Sequence, residues 1–204
     1  MNPVYLSFDV GVRNLAVCKL EIIKDLYTDT RYTIHHWEVM DVLEGVPETS
    51  KKMGIPETAQ HMIDTLLQHE DLLLQNPTPC GVLIEQQPGG KFVNVGMKAL
   101  SHVLQAFMYL KAPNIPIYFV SARKKLQTAD SHDKGVSQKK RYSSNKQFAK
   151  ETALNILQTQ VTNSEEASLI FNSRSKKDDL ADSLLQAVAF TSEPPTKKPR
   201  KSKK

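Results

Sequence analysis

Cysteine is almost absent from this 204-residue chain. Only Cys18 and Cys80 occur, and neither has a cysteine or a histidine pair at metal-ligand spacing. That excludes a disulfide-stapled fold and leaves structural zinc without support. Both cysteines sit in apolar, strand-like stretches and are expected to be reduced core residues. No apolar run reaches the roughly 18 residues that a membrane-spanning helix needs, so no membrane partner is expected. The first residues, Met1-Asn2-Pro3-Val4, lack the basic and apolar regions of a secretory leader, which predicts an intracellular protein. Internal repeats are missing too, which excludes solenoids and propellers.

Charge is plentiful but uneven. The net charge is +5, yet residues 194–204 hold six Lys/Arg and no acid. Residues 123–150 hold nine Lys/Arg against Asp130 and Asp133, which leaves −8 on the remainder. An acidic body with two concentrated basic segments points to a polyanion, most often nucleic acid. The tail Pro195-Thr196-Lys197-Lys198-Pro199-Arg200-Lys201 resembles a nuclear localisation signal or a nonspecific DNA tether. It favours the nucleus of a host cell over the cytoplasm.

Alternating apolar residues predict strands at 4–9, 15–23 and 32–39, joined by short turns as an antiparallel meander. Helical spacing then predicts a helix over 57–74, stopped by Pro77 and Pro79, and a second over 95–111. The continuous apolar run 80–85 reads as a strand covered on both faces, and 117–120 as another. Residues 127–143 lack periodicity and read as a mobile basic loop. Ser144-Asn145-Lys146-Gln147 matches a capping box opening a helix to about Gln160. A last helix starts near Lys177 or Asp178 and runs to Phe190, and Pro194-Pro195 closes a single domain over 1–193. The tail 194–204 is expected to be disordered. Strands alternating with helices after the meander imply a mixed α/β sheet flanked by helices.

Four acids stand out against this outline. Asp9 ends the first strand and is followed by Gly11; Glu85 ends the strand 80–85. Asp179 and Asp182 are three apart on one face of the last helix. Carboxylates that converge repel one another unless a hard cation neutralises them, and Mg²⁺ with phosphate oxygens is the usual occupant. Asp178-Asp179 also fit plain helix N-terminal acids, which the helix dipole favours. An acid ending the first strand before a glycine serves two families. Actin-like ATPases use it to hold nucleotide phosphates, and RNase H-like nucleases use it for a catalytic metal. The ATPase reading needs a second lobe and a second phosphate loop, which this chain does not offer. The nuclease reading needs a Glu ending a later strand and acids on the last helix, and both are present.

Three segments carry a closer likeness: Ser7-Phe8-Asp9-Val10-Gly11-Val12-Arg13-Asn14-Leu15-Ala16, Ile84-Glu85-Gln86-Gln87, and Lys176-Lys177-Asp178-Asp179-Leu180-Ala181-Asp182-Ser183. Together they resemble the Holliday junction resolvases of the RuvC-like group, above all the poxvirus-type and mitochondrial-type enzymes, over residues 3–191. The resemblance implies an RNase H-like five-stranded mixed sheet and a structure-selective endonuclease cutting four-way DNA junctions, in recombination, repair or viral genome processing. It implies Asp9, Glu85, Asp179 and Asp182 as catalytic acids holding two Mg²⁺ ions, with Mn²⁺ able to substitute, and a homodimer that cuts two strands symmetrically. Val10 stands where a proline is frequent, and Gln86-Gln87-Pro88 follows the Glu; neither change removes an oxygen ligand. DNA contacts are expected from Lys91, Asn94 and Lys98, from Arg123, Lys124, Lys125, Lys139, Lys140 and Arg141, and from Lys176 and Lys177. Tyr142 is the one aromatic at hand for stacking. The helix with Leu100, Leu104, Phe107 and Met108 is the expected dimer face, although a core stripe reads the same. A ribonuclease H acting on RNA–DNA hybrids and a non-catalytic nucleic-acid-binding module on the same fold are the alternatives.

Overall fold

The first strand, β1 (Val4–Asp9), has useful side chains on both faces, and that suits it to the middle of a sheet. Leu6 and Phe8 enter one core, while Tyr5 faces the other. In the computed structural model, which describes residues 1–24, 29–46, 53–87, 94–121, 138–174 and 176–192 (without the side chains of 138–144), β1 is indeed the central strand. β2 (Leu15–Ile23) and β3 (Arg31–Met40) form the antiparallel meander beside it. β4 (Gly81–Gln86) and β5 (Ile117–Ser121) add to its other side in parallel. The order is β3-β2-β1-β4-β5, the mixed five-stranded sheet expected from the sequence.

Helices cover both faces. On one lie α1 (Ile55–Gln68), α2 (Glu70–Leu74) and α3 (Val95–Lys111), packed around Leu6, Phe8, Val17, Met62, Leu66, Ile84 and Leu104. On the other lie α4 (Gln138–Thr159), α5 (Ser164–Ser173) and α6 (Lys177–Ser192), packed around Cys18, Leu20, Trp37, Phe171 and Leu184. Lys19 is fully buried on β2, where its ammonium donates to Leu72 O (3.0 Å) and to Gln75 O at the end of α2. Among the described residues no helix is long and apolar enough to cross a membrane.

Several expectations need correction. The helix expected over 57–74 begins at Ile55, where Glu57 bonds back to the Gly54 amide at 2.7 Å, and it breaks at His69. There the ring Nδ1 lies 2.8 Å from Thr65 O, the acceptor also used by the His69 amide. α4 opens at Gln138, so 138–143 is helical rather than loop, and Ser144–Gln147 lies inside a helix rather than capping one. Gln, Lys and Arg are good helix formers but give no apolar stripe, so periodicity alone overlooks them. The rest of that expected loop falls outside the described residues, as does the tail. α5 was not anticipated: it buries only Ala167 and Phe171, too few positions to read as a period. Cys80 is exposed, and only Cys18 is a core residue. Leu100, Leu104, Phe107 and Met108 all point into the core beneath the sheet, so they are not available to a second subunit.

Candidate active site

Alternation along β1 decides which way its acid points. Phe8 and Ile84 are opposite one another on parallel β1 and β4, and both enter the α1–α3 core. The next residues, Asp9 and Glu85, therefore turn to the opposite face, toward α6. Asp9, the last residue of β1, and Glu85, one before the end of β4, stand at the same level on neighbouring strands.

β1 and α6 run antiparallel on that face and are in step. Phe190 meets Tyr5 edge-on, with ring centroids 5.5 Å apart. One turn earlier, Gln186 Nε2 donates to Ser7 Oγ and to Phe8 O, each at 3.2 Å. Four helical residues advance about 6 Å and two strand residues about 6.6 Å. The ladder that pairs 190 with 5 and 186 with 7 thus continues to 182 and 9. Asp182 comes to the level of Asp9, and Asp179 lies one turn further toward the start of α6. From β3, Trp37 Nε1 donates to Leu180 O (3.1 Å) and Ser183 Oγ (3.2 Å), a second polar pin on an otherwise apolar helix.

All four acids are half-buried. Burial raises the Asp179 carboxyl above the usual range, and the charges of Asp178 and Asp182 push the same way, against Lys146 and Lys176. Asp178 behaves differently: burial pushes it up, but the hydrogen bond and charge of Lys146, with its own amide and Lys150, hold it below the usual range. Lys146, on α4, is ion-paired with Asp178. Asp178 and Asp179 lie in the first turn of α6, while Asp182 is in the second. As the side chains stand, no three His, Cys, Asp or Glu groups among the described residues surround a common point closely enough to hold a metal ion. The backbone brings the four carboxylates to one end of the sheet; gathering their oxygens takes side-chain rotation. A set of four carboxylates without thiolate or imidazole fits a hard, oxygen-seeking divalent cation.

Comparison with known proteins bears on this arrangement. Residues 5–88 match the family described as mitochondrial resolvase Ydc2 / RNA splicing MRS1, a span that includes Asp9 and Glu85. Among solved structures, the yeast mitochondrial Holliday junction resolvase Ydc2 superposes with a TM-score of 0.55 at 19% identity, over 93% of this chain and 78% of that one. RuvC of Thermus thermophilus gives 0.53 at 12% identity, over 93% and 95%. The chain has the fold of the RuvC-like resolvases. The fowlpox virus resolvase, solved with its substrate Holliday junction DNA, gives 0.51 at 16% identity, over 93% and 97%. Comparison with curated protein sequences returned no significant match.

Within this RuvC-like fold the expected DNA contacts divide. Lys176 is exposed and near enough to Asp179 to act on its charge. Lys177 instead donates to Asn172 Oδ1 at 3.1 Å and lies over the Phe171 ring. Asn94 caps α3, its Oδ1 accepting from the Met97 amide at 3.2 Å, and Lys98 is exposed one turn on. Lys91, Arg123, Lys124 and Lys125 lie outside the described residues. Lys139, Lys140 and Arg141 fall on the first turn of α4, and like Tyr142 their side chains are outside the description. Two residues of the site were not singled out from sequence, Gln186 and Lys146. The signal for Gln186 was present: it is the lone long polar side chain in the run Leu184-Leu185-Gln186-Ala187-Val188. Lys146 gave none, since one lysine among many in a basic segment is not distinctive.

Proposed function

We propose that this protein is a divalent-metal-dependent endonuclease that cleaves four-way DNA junctions, in recombination, repair or viral genome processing. The observation that carries the proposal is the common level of Asp9, Glu85 and Asp182, with Asp179 one turn away. That level follows from the β1–β4 register and the Gln186 contacts to Ser7 and Phe8. The match to the Ydc2 family over 5–88 and the likeness to the yeast, Thermus and fowlpox resolvases support the choice of substrate.

When bound, a pair of Mg²⁺ ions, or Mn²⁺ in their place, supplies an activated water and stabilises the leaving 3′ oxygen of an in-line displacement. Asp9, on the central strand, would be among the residues that hold them. Glu85 approaches from β4, and Asp179 and Asp182 approach from α6. Lys176 and Lys146 offset negative charge beside Asp179. The basic segment at 123–150 and the tail 194–204 would hold backbone phosphates, which makes affinity fall steeply with salt. The tail also serves as a nuclear address.

A junction presents two strands for symmetric cutting, so the working unit is a homodimer, and two-fold pairing is the commonest oligomer. The outer side of α3 supports this, because Tyr109 and Leu110 are 64% and 78% exposed there. A second reading, a nucleic-acid-binding module without catalysis, draws on the RNA splicing protein named in the matched family; the four acids in register stand against it. The test is Mg²⁺-dependent cleavage of a four-way junction beside linear duplex and RNA–DNA hybrid. Selective cutting of the junction is expected. Equal cutting of all three would refute junction selectivity, preference for the hybrid would indicate a ribonuclease H, and binding without any cutting would favour the module.

A further inference from the structure

Helix α6 meets the sheet through an almost wholly apolar face of Leu180, Ala181, Leu184, Leu185, Ala187 and Val188. Such an interface is strong but not directional, since area burial does not distinguish one helix register from the next. A slip of one turn would keep that face on the sheet while shifting the helix by about 5.4 Å along the strand. Asp182 would then leave the level of Asp9. Something directional must hold the register.

Gln186 is placed to do so. It is completely buried. Its Nε2 donates to Phe8 O, the carbonyl of the peptide that joins Phe8 to Asp9, and to Ser7 Oγ. Asp182 lies one turn before it on the same helix face. One side chain therefore connects the backbone from which Asp9 hangs to the helix that carries Asp179 and Asp182. The two hydrogen bonds come at a cost. Among the described residues its Oε1 is buried with no hydrogen-bond partner, a condition that costs free energy compared with an apolar side chain of the same length. Trp37 anchors the same helix to β3, at Leu180 and Ser183, but it does not reach β1 or Asp9.

We propose that Gln186 is the positioning residue of the site: it fixes the register of α6 on β1 so that Asp182 and Asp179 face Asp9 and Glu85. This rests on the metal-dependent reading given above. The test is Gln186→Met, which keeps length and apolar volume while removing the donor. Three quantities are measured on the full chain: unfolding in urea, calorimetric Mn²⁺ affinity, and single-turnover cleavage of a four-way junction beside its affinity without metal. Expected are a modest loss of stability from the acceptors left at Ser7 Oγ and Phe8 O, junction affinity unchanged, Mn²⁺ affinity reduced severalfold, and a cleavage rate lower by about 10- to 100-fold, the scale of an ångström-sized misplacement. If Gln186→Met does not fold, Ser7→Ala removes one acceptor, leaves the apolar packing in place and should shift Mn²⁺ affinity in the same direction. Wild-type Mn²⁺ affinity in a folded variant of either kind overturns the proposal. The Mn²⁺ measurement needs no cleavage, so a protein that binds the ion through Gln186 but cuts no junction would refute the activity and keep the positioning role.

Discussion

Replacing Gly11 by alanine should damage catalysis far more than folding or DNA binding. A Cβ built on Gly11 would lie 2.5 Å from the Asn14 carbonyl oxygen and 3.0 Å from its carbon. Ordinary contact needs about 3.5 Å, so the turn between β1 and β2 must open by roughly 0.5–1 Å. It cannot open freely on its outer side. Arg13 ties it to Asp41 at 3.0 Å, to Leu43 O at 2.9 Å and to Val46 O at 3.2 Å, and Val42 N donates to Val12 O at 3.1 Å. The movement is therefore directed toward the end of β1, where Asp9 sits opposite Ala16. Overpacking of this kind costs about 1–3 kcal/mol of stability. A displacement near 1 Å at a reacting carboxylate costs up to about 100-fold in rate. Single-turnover cleavage of a four-way junction, junction binding without metal, and urea unfolding measure the three effects. Expected are a 10- to 100-fold slower cut, binding within about threefold of wild type, and a modest drop in stability. A Gly11→Ala protein that cuts at the wild-type rate would refute the view that this turn sets the position of Asp9.

Trp37→Phe keeps most of the stacking on Phe171 but removes the indole bonds to Leu180 O and Ser183 Oγ. At about 1 kcal/mol per bond it should cost about 1–2 kcal/mol. Trp37 is the only tryptophan, so urea unfolding has to be followed by circular dichroism; an unchanged midpoint would contradict the pinning role. Burial of Lys19 pulls its pKa down to about 8 from 10.5, although the carbonyls of Leu72 and Gln75 favour its charged form. Between those two values the unfolded chain binds more protons than the folded one, so stability rises with pH across that window. Relative to Lys19→Met, the wild type should gain up to about 3 kcal/mol between pH 7 and 10.5. A difference in unfolding free energy that stays flat with pH would show that the ammonium is not desolvated.

Much of this was readable in the residues themselves. Alternation at Val4–Asp9 and Leu15–Ile23 located the central strands because each side chain there has a fixed face. Asp9 and Glu85 were visible as the acids that close apolar runs. The start of α4 and the whole of α5 were not, because helices that bury few residues leave little period. Leu100, Leu104, Phe107 and Met108 could not be assigned to core or partner, since a core stripe and an interface stripe share one spacing. The step between α6 and β1 was out of reach for a different reason. It depends on contacts between residues 178 and 179 positions apart, and nothing local in the chain encodes them.

The most direct test of the proposed metal-dependent junction-cutting site is cleavage of a four-way junction by wild-type protein and by Asp9→Asn, with and without Mg²⁺, beside junction binding in the absence of metal. Wild-type protein should cut only when Mg²⁺ is present. Asp9→Asn should bind the junction as tightly as wild type and cut at no more than background. Cutting by Asp9→Asn at the wild-type rate, or wild-type cutting that persists in chelator, would contradict the site; loss of junction binding together with cutting would make Asp9 a structural residue instead.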